Sequence, residues 1–475
     1  MSHLPISLHN VGLAFPHKVC FQKLTTQIYA GNKIAIIGRN GSGKSTLLKI
    51  LQGIVHPTQG DIKIPDGITF GYVPQIIENE NSLSGGQKFN HAFSQSLAND
   101  PNVLILDEPT NYLDLHNRKS LMRMLSRFSG TLIFVSHDLE LLKNISTTIW
   151  HIDDGKVKIF SGSYDAYKNE YDSHHKATLA KIAQLKKESK KTKKQIELEH
   201  SRAAQSRKAN RYENDRTLRG AMKESGSRTT GKKKGNLNVA HDQLAQELQQ
   251  VKTPEVIKPT FSFAVDDIHT QNIVTISDGA CGYGDEVIVK NISMTMNSHE
   301  RVWLSGKNGS GKSTFIKALL GDEHVVRFGE WHAPKPTHIG YLDQHYATLN
   351  QTATVFDTIA DSAPSWNYAQ IRNHLNDFLF RKNEEVETRV ENLSGGEKAR
   401  LSLALIAAKT PNLLILDEIT NNLDLETNEH IIKVLRDYPG ALLVISHDRP
   451  FLQAINISTM YEIIDGQMVV KNDFL

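Results

Sequence analysis

Apolar positions along the chain fall into two patterns. Short unbroken apolar runs occur at Ile34–Ile37, Val103–Leu106, Leu132–Val135 and Leu413–Leu416. Runs that are continuous rather than alternating predict strands buried on both faces, as in a parallel sheet. Each run ends in a polar turn that leads into a helical stretch, the alternation of an α/β chain. Between about Asp172 and Val251 such runs vanish, and Lys, Glu, Gln and Ala dominate, a composition that favours helix. There Ile182, Leu185, Ser189, Thr192 and Ile196 advance in steps of three and four, and Leu237, His241, Leu244, Leu248 and Val251 repeat the pattern. The spacing predicts two antiparallel helices in coiled-coil contact, with a polar tip near Ser225–Gly235.

The outer parts of the chain repeat each other. GRNGSGKST starts at Gly38 and GKNGSGKST at Gly306; LILDE places acidic pairs at Asp107-Glu108 and Asp417-Glu418; SHD places histidines at His137 and His447. The acidic pairs and the histidines share an offset of 310 residues, against 268 for the glycine-rich loops, so the second half carries 42 extra residues internally. The expected division is 1–171, a helical linker over 172–258, and 259–475.

Composition narrows the class. With 39% hydrophobic and 23% charged residues the chain reads as a soluble globular protein. No apolar run approaches the roughly 18 residues that cross a bilayer, and the start lacks a secretory pattern. Only Cys20 and Cys281 occur, without C-x-x-C spacing, which points to a reducing cytoplasm and away from structural zinc. The net charge of +3 conceals an asymmetry: His174–Lys234 holds 19 Lys/Arg against 6 Asp/Glu, a net of +13, leaving −10 for the rest. A segment so basic is suited to phosphates, although a solvated basic coiled coil without partner shares that composition.

The repeated motifs carry phosphate chemistry. Gly38, Asn40, Gly41, Ser42, Gly43, Lys44, Ser45 and Thr46 form one G-x4-G-K-S loop, and Gly306, Asn308, Gly309, Ser310, Gly311, Lys312, Ser313 and Thr314 the other. Such loops turn backbone N–H groups toward phosphates, with the lysine as a point charge and the serine hydroxyl on Mg²⁺. Each follows an apolar run and opens a helix whose N-terminus attracts anions. Asp107 and Asp417 end strands where an acid holds Mg²⁺; Glu108 and Glu418 follow, placed as general bases. Phe15 and Tyr283 each precede their loop by 23 residues, which favours stacking on adenine over a purely core role.

Ser84, Gly85 and Gly86 lie in LSGGQ, and Ser394, Gly395 and Gly396 in LSGGE, each serine 23 residues before its strand-ending aspartate. With DEPTNYLD and SHD in order, the chain resembles the ATP-binding cassette superfamily, over about 340 residues. The resemblance implies two cassettes facing head to tail. Lys44 and Ser45 would share one ATP with Ser394–Gly396, and Lys312 and Ser313 the other with Ser84–Gly86. His137 and His447 would contact the γ-phosphate, Gln75 and Gln344 the Mg²⁺ or water, and Asp114 and Asp424 would join the sites.

Tandem cassettes without membrane spans, joined by a charged helical linker, resemble the ABC-F family of ribosome-binding ATPases, some of which protect against antibiotics. The resemblance implies a monomer that pairs its own cassettes and a linker that enters the ribosome through the tRNA exit site. Arg202, Arg207, Lys208, Arg211, Arg216 and Arg219 are its expected RNA contacts, with Tyr212 the lone aromatic among them. Two departures stand out. Gln75 and Ser84 are 9 residues apart where Gln344 and Ser394 are 50 apart, so the first cassette lacks room for a helical subdomain and its site is expected to differ. Ile419 replaces the proline usual after the catalytic glutamate. A transporter subunit, a DNA-repair ATPase and a non-hydrolysing ATP clamp are the competing functions.

Overall fold

The computed structural model describes residues 3–15, 18–75, 85–111, 113–212, 239–240, 242–248, 272–343, 346–409 and 411–471. They fall into two compact units, residues 1–165 with 256–475 and residues 166–255.

In the first half of the larger unit, β1 (Ile6–Phe15), β2 (Lys18–Ile28) and β4 (Gln59–Lys63) form an antiparallel sheet in the order β2-β1-β4. The strands β3 (Lys33–Gly38), β5 (Phe70–Val73), β6 (Val103–Asp107), β7 (Thr131–Val135), β8 (Thr148–Asp153) and β9 (Lys156–Ser161) form a second sheet, ordered β5-β6-β7-β3-β8-β9. All its neighbours pair in parallel except β8 and β9. The apolar runs are its central strands: every residue of β6 and β7 is buried, because helices cover both faces of a parallel sheet.

The second half repeats the plan with β10 (Asn272–Tyr283), β11 (Glu286–Asn297), β12 (Arg301–Gly306), β13 (Val326–His332), β14 (Ile339–Leu342), β15 (Leu413–Asp417), β16 (Ala441–Ile445), β17 (Thr459–Ile464) and β18 (Gln467–Lys471). Here the pairing of β11 with β18 fuses both layers into one sheet, β13-β10-β11-β18-β17-β12-β16-β15-β14. In both halves the strand before the glycine-rich loop sits centrally, so the loop leaves at the carboxyl ends where α/β sheets bind ligands.

The extra residues of the second half form the helices Val355–Ser362, Tyr368–Asp377 and Asn383–Glu387. Reciprocal caps at Thr354/Asp357 and Asn367/Gln370 start the first two. Their apolar faces supply Ile359 and Leu375, and the turn after the second helix Phe378 and Phe380, to the same core as Leu414 and Leu416.

In the smaller unit, a helix over Tyr164–Tyr212 carries the predicted seam: Ile182 and Leu185 are buried and Ser189, Thr192 and Ile196 half-buried, while the positions between them are exposed. Residues 239–240 and 242–248 are helical, with Leu244 and Leu248 half-buried. The proposed tip at Ser225–Gly235, with Arg216 and Arg219, lies outside the described residues, as do the side chains of Arg202, Arg207, Lys208, Arg211 and Tyr212. No helix among the described residues is long and apolar enough to cross a membrane.

Candidate nucleotide sites

Each glycine-rich loop is shaped by residues that only glycine suits. Gly38 has φ 149° and Gly306 φ 152°, and Gly43 and Gly311 cap their helices in the left-handed region at φ 94° and 103°. A Cβ on Gly43 would lie 2.9 Å from Leu13, and one on Gly38 2.6 Å from the Ile152 carbonyl. The helices begin at Lys44 and Lys312. Each lysine is thereby held over its own loop: Lys44 Nζ donates to the Gly38 carbonyl at 2.7 Å, and Lys312 Nζ to the Gly306 and Lys307 carbonyls at 2.8 and 2.9 Å. Burial lowers both ammonium pKa values against the pull of the nearby acids.

A cavity of about 550 Å³ opens over the first loop. Phe15, Asn40, Gly41, Gly43–Thr46, Gln75, Asp107, Glu108 and His137 line it from the first half. Leu393, Gly395, Lys398 and Tyr346 line it from the second. A cavity of about 490 Å³ over the second loop is lined by Tyr283, Asn308, Gly309, Gly311–Thr314, Glu418 and His447, with Asn111 and Leu113 from the first half. Phe15 and Tyr283 are 50% and 41% exposed at the cavity lips.

The Ser42 and Ser310 hydroxyls and Asp107 Oδ1 are buried without hydrogen-bond partners, and of these Asp107 lines the first cavity. Asp107 also interacts with the Ser45 side chain, and burial raises its pKa. Burial likewise pushes Asp417 up to about 6, aided by Glu418; the Tyr341 hydroxyl donates to its Oδ2 at 3.3 Å.

Glu108 is buried among Lys44, Asp107 and His137, and burial pushes it up to about 7 against the counter-pull of Lys44, a value suited to a base at neutral pH. His137 Nε2 lies 3.3 Å from Glu108 Oε1, and His447 Nε2 lies 3.6 Å from Glu418 Oε1. Burial keeps both imidazoles neutral, with His447 lowered to about 4 by burial, Lys312 and Arg118. Glu108 and Glu418 share φ 50°. The glutamate therefore keeps the same φ whether Pro109 or Ile419 follows, and Ile419 is buried.

Some expected groups stand apart from the cavities. The Ser394 hydroxyl donates to Glu397 Oε2 at 2.6 Å, closing a capping box at the start of the helix Gly395–Lys409. Gly396 instead packs beside Thr427, where a Cβ would come within 3.2 Å. Gly85 and Gly86 begin the corresponding helix Gly85–Leu97. Ser84 and Gln344 lie outside the described residues. Conversely, Asn111, Leu113, Tyr346, Leu393 and Lys398 enter cavities although their own motifs lie elsewhere. Asn111 borders both, and its place in the repeated TN pair was the available sequence signal.

The strand order, the paired phosphate loops and the acid–histidine pairs at their rims define a tandem ATP-binding cassette ATPase. A family model described as ABC transporter matches residues 21–77 and 289–421, and one described as AAA domain, putative AbiEii toxin, Type IV TA system matches 81–143. ATP-binding protein Uup of Haemophilus influenzae is 30% identical over 97% of this chain and 79% of its own length. Ribosome protection protein VmlR of Bacillus subtilis is 28% identical over 94% of this chain and 85% of its own length. The RNase-L Inhibitor structure superposes with a TM-score of 0.62 at 19% identity, covering 98% of this chain and 89% of that one, a likeness of fold. The chain belongs to the ABC-F family of ATP-binding cassette proteins.

Proposed function

We propose that the chain clasps Mg-ATP at two sites between its cassettes, hydrolyses it, and uses cassette closure to act on the ribosome through its basic helical segment. The observation that carries the clasp is the first cavity, where Lys44, Ser45 and Glu108 face Gly395 and Lys398 from the other cassette. One chain supplies both walls, so a monomer suffices.

In this reading Glu108 and Glu418 polarise the attacking water, His137 and His447 contact the γ-phosphate, and Phe15 and Tyr283 stack on adenine. Mg²⁺ fits the partnerless Asp107 Oδ1 beside Ser45, with Gln75 at the same cavity; Ser313, Asp417 and Gln344 are the corresponding second set. The ion would neutralise phosphate charge.

Two things support the ribosome as partner. The segment His174–Lys234 carries +13, which attracts RNA phosphates in a salt-dependent manner. Relatives and fold neighbours include a ribosome protection protein and an archaeal ribosome recycling factor. The division into 1–171, 172–258 and 259–475 then has a meaning, two motors and a lever, acting in the cytoplasm on translation or on antibiotic-stalled ribosomes.

The test is the Glu108→Gln, Glu418→Gln double variant. It should bind ATP, lose turnover, and co-sediment with ribosomes at low salt only when ATP is present. Ribosome-independent behaviour together with ATPase stimulation by DNA would favour a DNA-directed role instead.

A further inference from the structure

Arg118 lies on the helix Leu115–Arg127, four residues after its capping aspartate, and is only 9% exposed. Its Nε donates to the Leu113 carbonyl at 3.2 Å and its Nη2 to the Thr110 carbonyl at 3.4 Å. Nη1 lies 3.2 Å from Asp138 Oδ2 and donates at 3.4 Å to the carbonyl of His447, 329 residues away in the other cassette. One planar guanidinium thus ties two loops of the first cassette to the histidine backbone of the second site, a task suited to its fixed fork of donors.

The repeat makes this arrangement one-sided. The offset of 310 places Asn428 where Arg118 stands and Asp448 where Asp138 stands. Asn428 brings no charge, and its Oδ1 is buried without a partner. Burial raises the Asp448 carboxyl, with Asp138 and Glu140 adding to the rise and Arg118 opposing it. Two related acids therefore meet near the seam with an arginine supplied from the first cassette alone. Buried carboxylates need such a cation, and removing it leaves charge uncompensated.

The His447 carbonyl belongs to the residue whose ring faces Glu418. Holding that carbonyl fixes where the imidazole sits over the second cavity. We propose that Arg118 is a positioning residue that reaches across the seam to hold His447, so that turnover at the second site, and not at the first, depends on it. The inference rests on the reading that both sites hydrolyse ATP within a closed cassette pair.

The experiment introduces Arg118→Gln into two single-site proteins, Glu108→Gln, which leaves the second site active, and Glu418→Gln, which leaves the first. With only the second site active, kcat should fall about tenfold while KM for ATP stays within about twofold, the pattern of a lost transition-state interaction. With only the first active, kcat should change by less than about twofold. Arg118→Lys keeps the charge but loses the fork, and should restore part of the loss; it also carries the test if the glutamine variant does not fold. Equal losses in both backgrounds, or none in the Glu108→Gln protein, overturn the assignment of Arg118 while leaving two-site hydrolysis intact. If neither parent turns over ATP faster than the double Glu→Gln protein, the hydrolysis reading and this inference fall together.

Discussion

The backbone N–H of Asn40, in the first phosphate loop, donates to Asp424 Oδ2 at 3.2 Å, across 384 residues of sequence. The same carboxylate caps the helix Leu425–Asp437 by accepting from the Thr427 N–H at 2.8 Å. One side chain therefore starts a helix in one cassette and steadies the phosphate loop of the other.

These two roles separate by substitution. Asp424→Asn keeps a capping acceptor, so its thermal stability should stay near the parent's, whereas Asp424→Ala loses about 1 kcal/mol. Both weaken the charge-assisted bond to the loop. In the Glu418→Gln protein, where only the first site works, each should lower ATP turnover by roughly threefold to tenfold. Parent-level turnover in both variants, measured beside their melting curves, would show that the cross-cassette contact is idle.

Two neighbouring glycines of the second loop should respond differently to alanine. Gly311 has φ 103°, and an added Cβ would meet Val289 at 2.5 Å and Ile288 at 2.9 Å. Gly309 has φ 79° with nothing within 4 Å. Gly309→Ala then meets only the left-handed backbone penalty of about 1–2 kcal/mol. Gly311→Ala adds overpacking of about 1–3 kcal/mol. Denaturant melts and titration with a fluorescent ATP analogue should rank Gly311→Ala clearly worse in both stability and nucleotide binding. The reverse ranking would mean that the loop relaxes freely away from Ile288 and Val289.

Sequence reading reached those parts of the molecule in which local pattern and final position coincide. Val103–Leu106 and Leu413–Leu416 are continuous apolar runs because helices cover both faces of their sheet, and they became β6 and β15. The loops at Gly38 and Gly306 announced themselves because phosphate binding fixes residue type at fixed spacing. The helix starts at Lys44 and Lys312 were less visible, since their first residues are polar and serve the ligand rather than the core. Tyr346 and Lys398 were illegible for another reason. With Leu393 they line the first cavity from the other half of the chain; Leu393 adjoins the Ser394–Gly396 segment expected there, whereas no spacing within either half encodes the approach of Tyr346 and Lys398. Arg118 is an intermediate case: its mismatch with Asn428 can be read from the repeat, but its meaning lies in the carbonyl of His447 three hundred residues away.

The two cysteines offer a check on the packing beside the nucleotide sites. Cys281 is fully buried, and burial pushes its thiol up to about 11; Cys20 is 3% exposed and raised by burial despite Lys18. Thiolate is the reactive species, so both should resist a charged thiol reagent at pH 8 in the native protein. Ellman's reagent should detect fewer than one thiol per chain before denaturation and both after guanidinium. Rapid labelling of the folded protein would contradict the packing of Cys20 against the loop at Gly43.

Acid dependence of stability should carry the signature of the aspartates near the seam. Burial pushes the Asp448 carboxyl up to about 6, with Asp138 and Glu140 adding to the rise and the Phe451 N–H and Arg118 opposing it. A carboxyl whose native pKa exceeds its unfolded value binds protons more tightly when folded. Its stabilising contribution is complete below about pH 4 and is lost as pH rises through about 6. Asp448→Asn removes that dependence while retaining an acceptor for the Phe451 N–H, which Asp448 caps at 3.0 Å. The variant should therefore gain on the parent by on the order of 1–3 kcal/mol between pH 4 and pH 7. Urea melts of both proteins at pH 4.5, 5.5 and 7 measure the gap. A gap that stays constant or narrows with rising pH would place Asp448 in a solvated setting and contradict its burial.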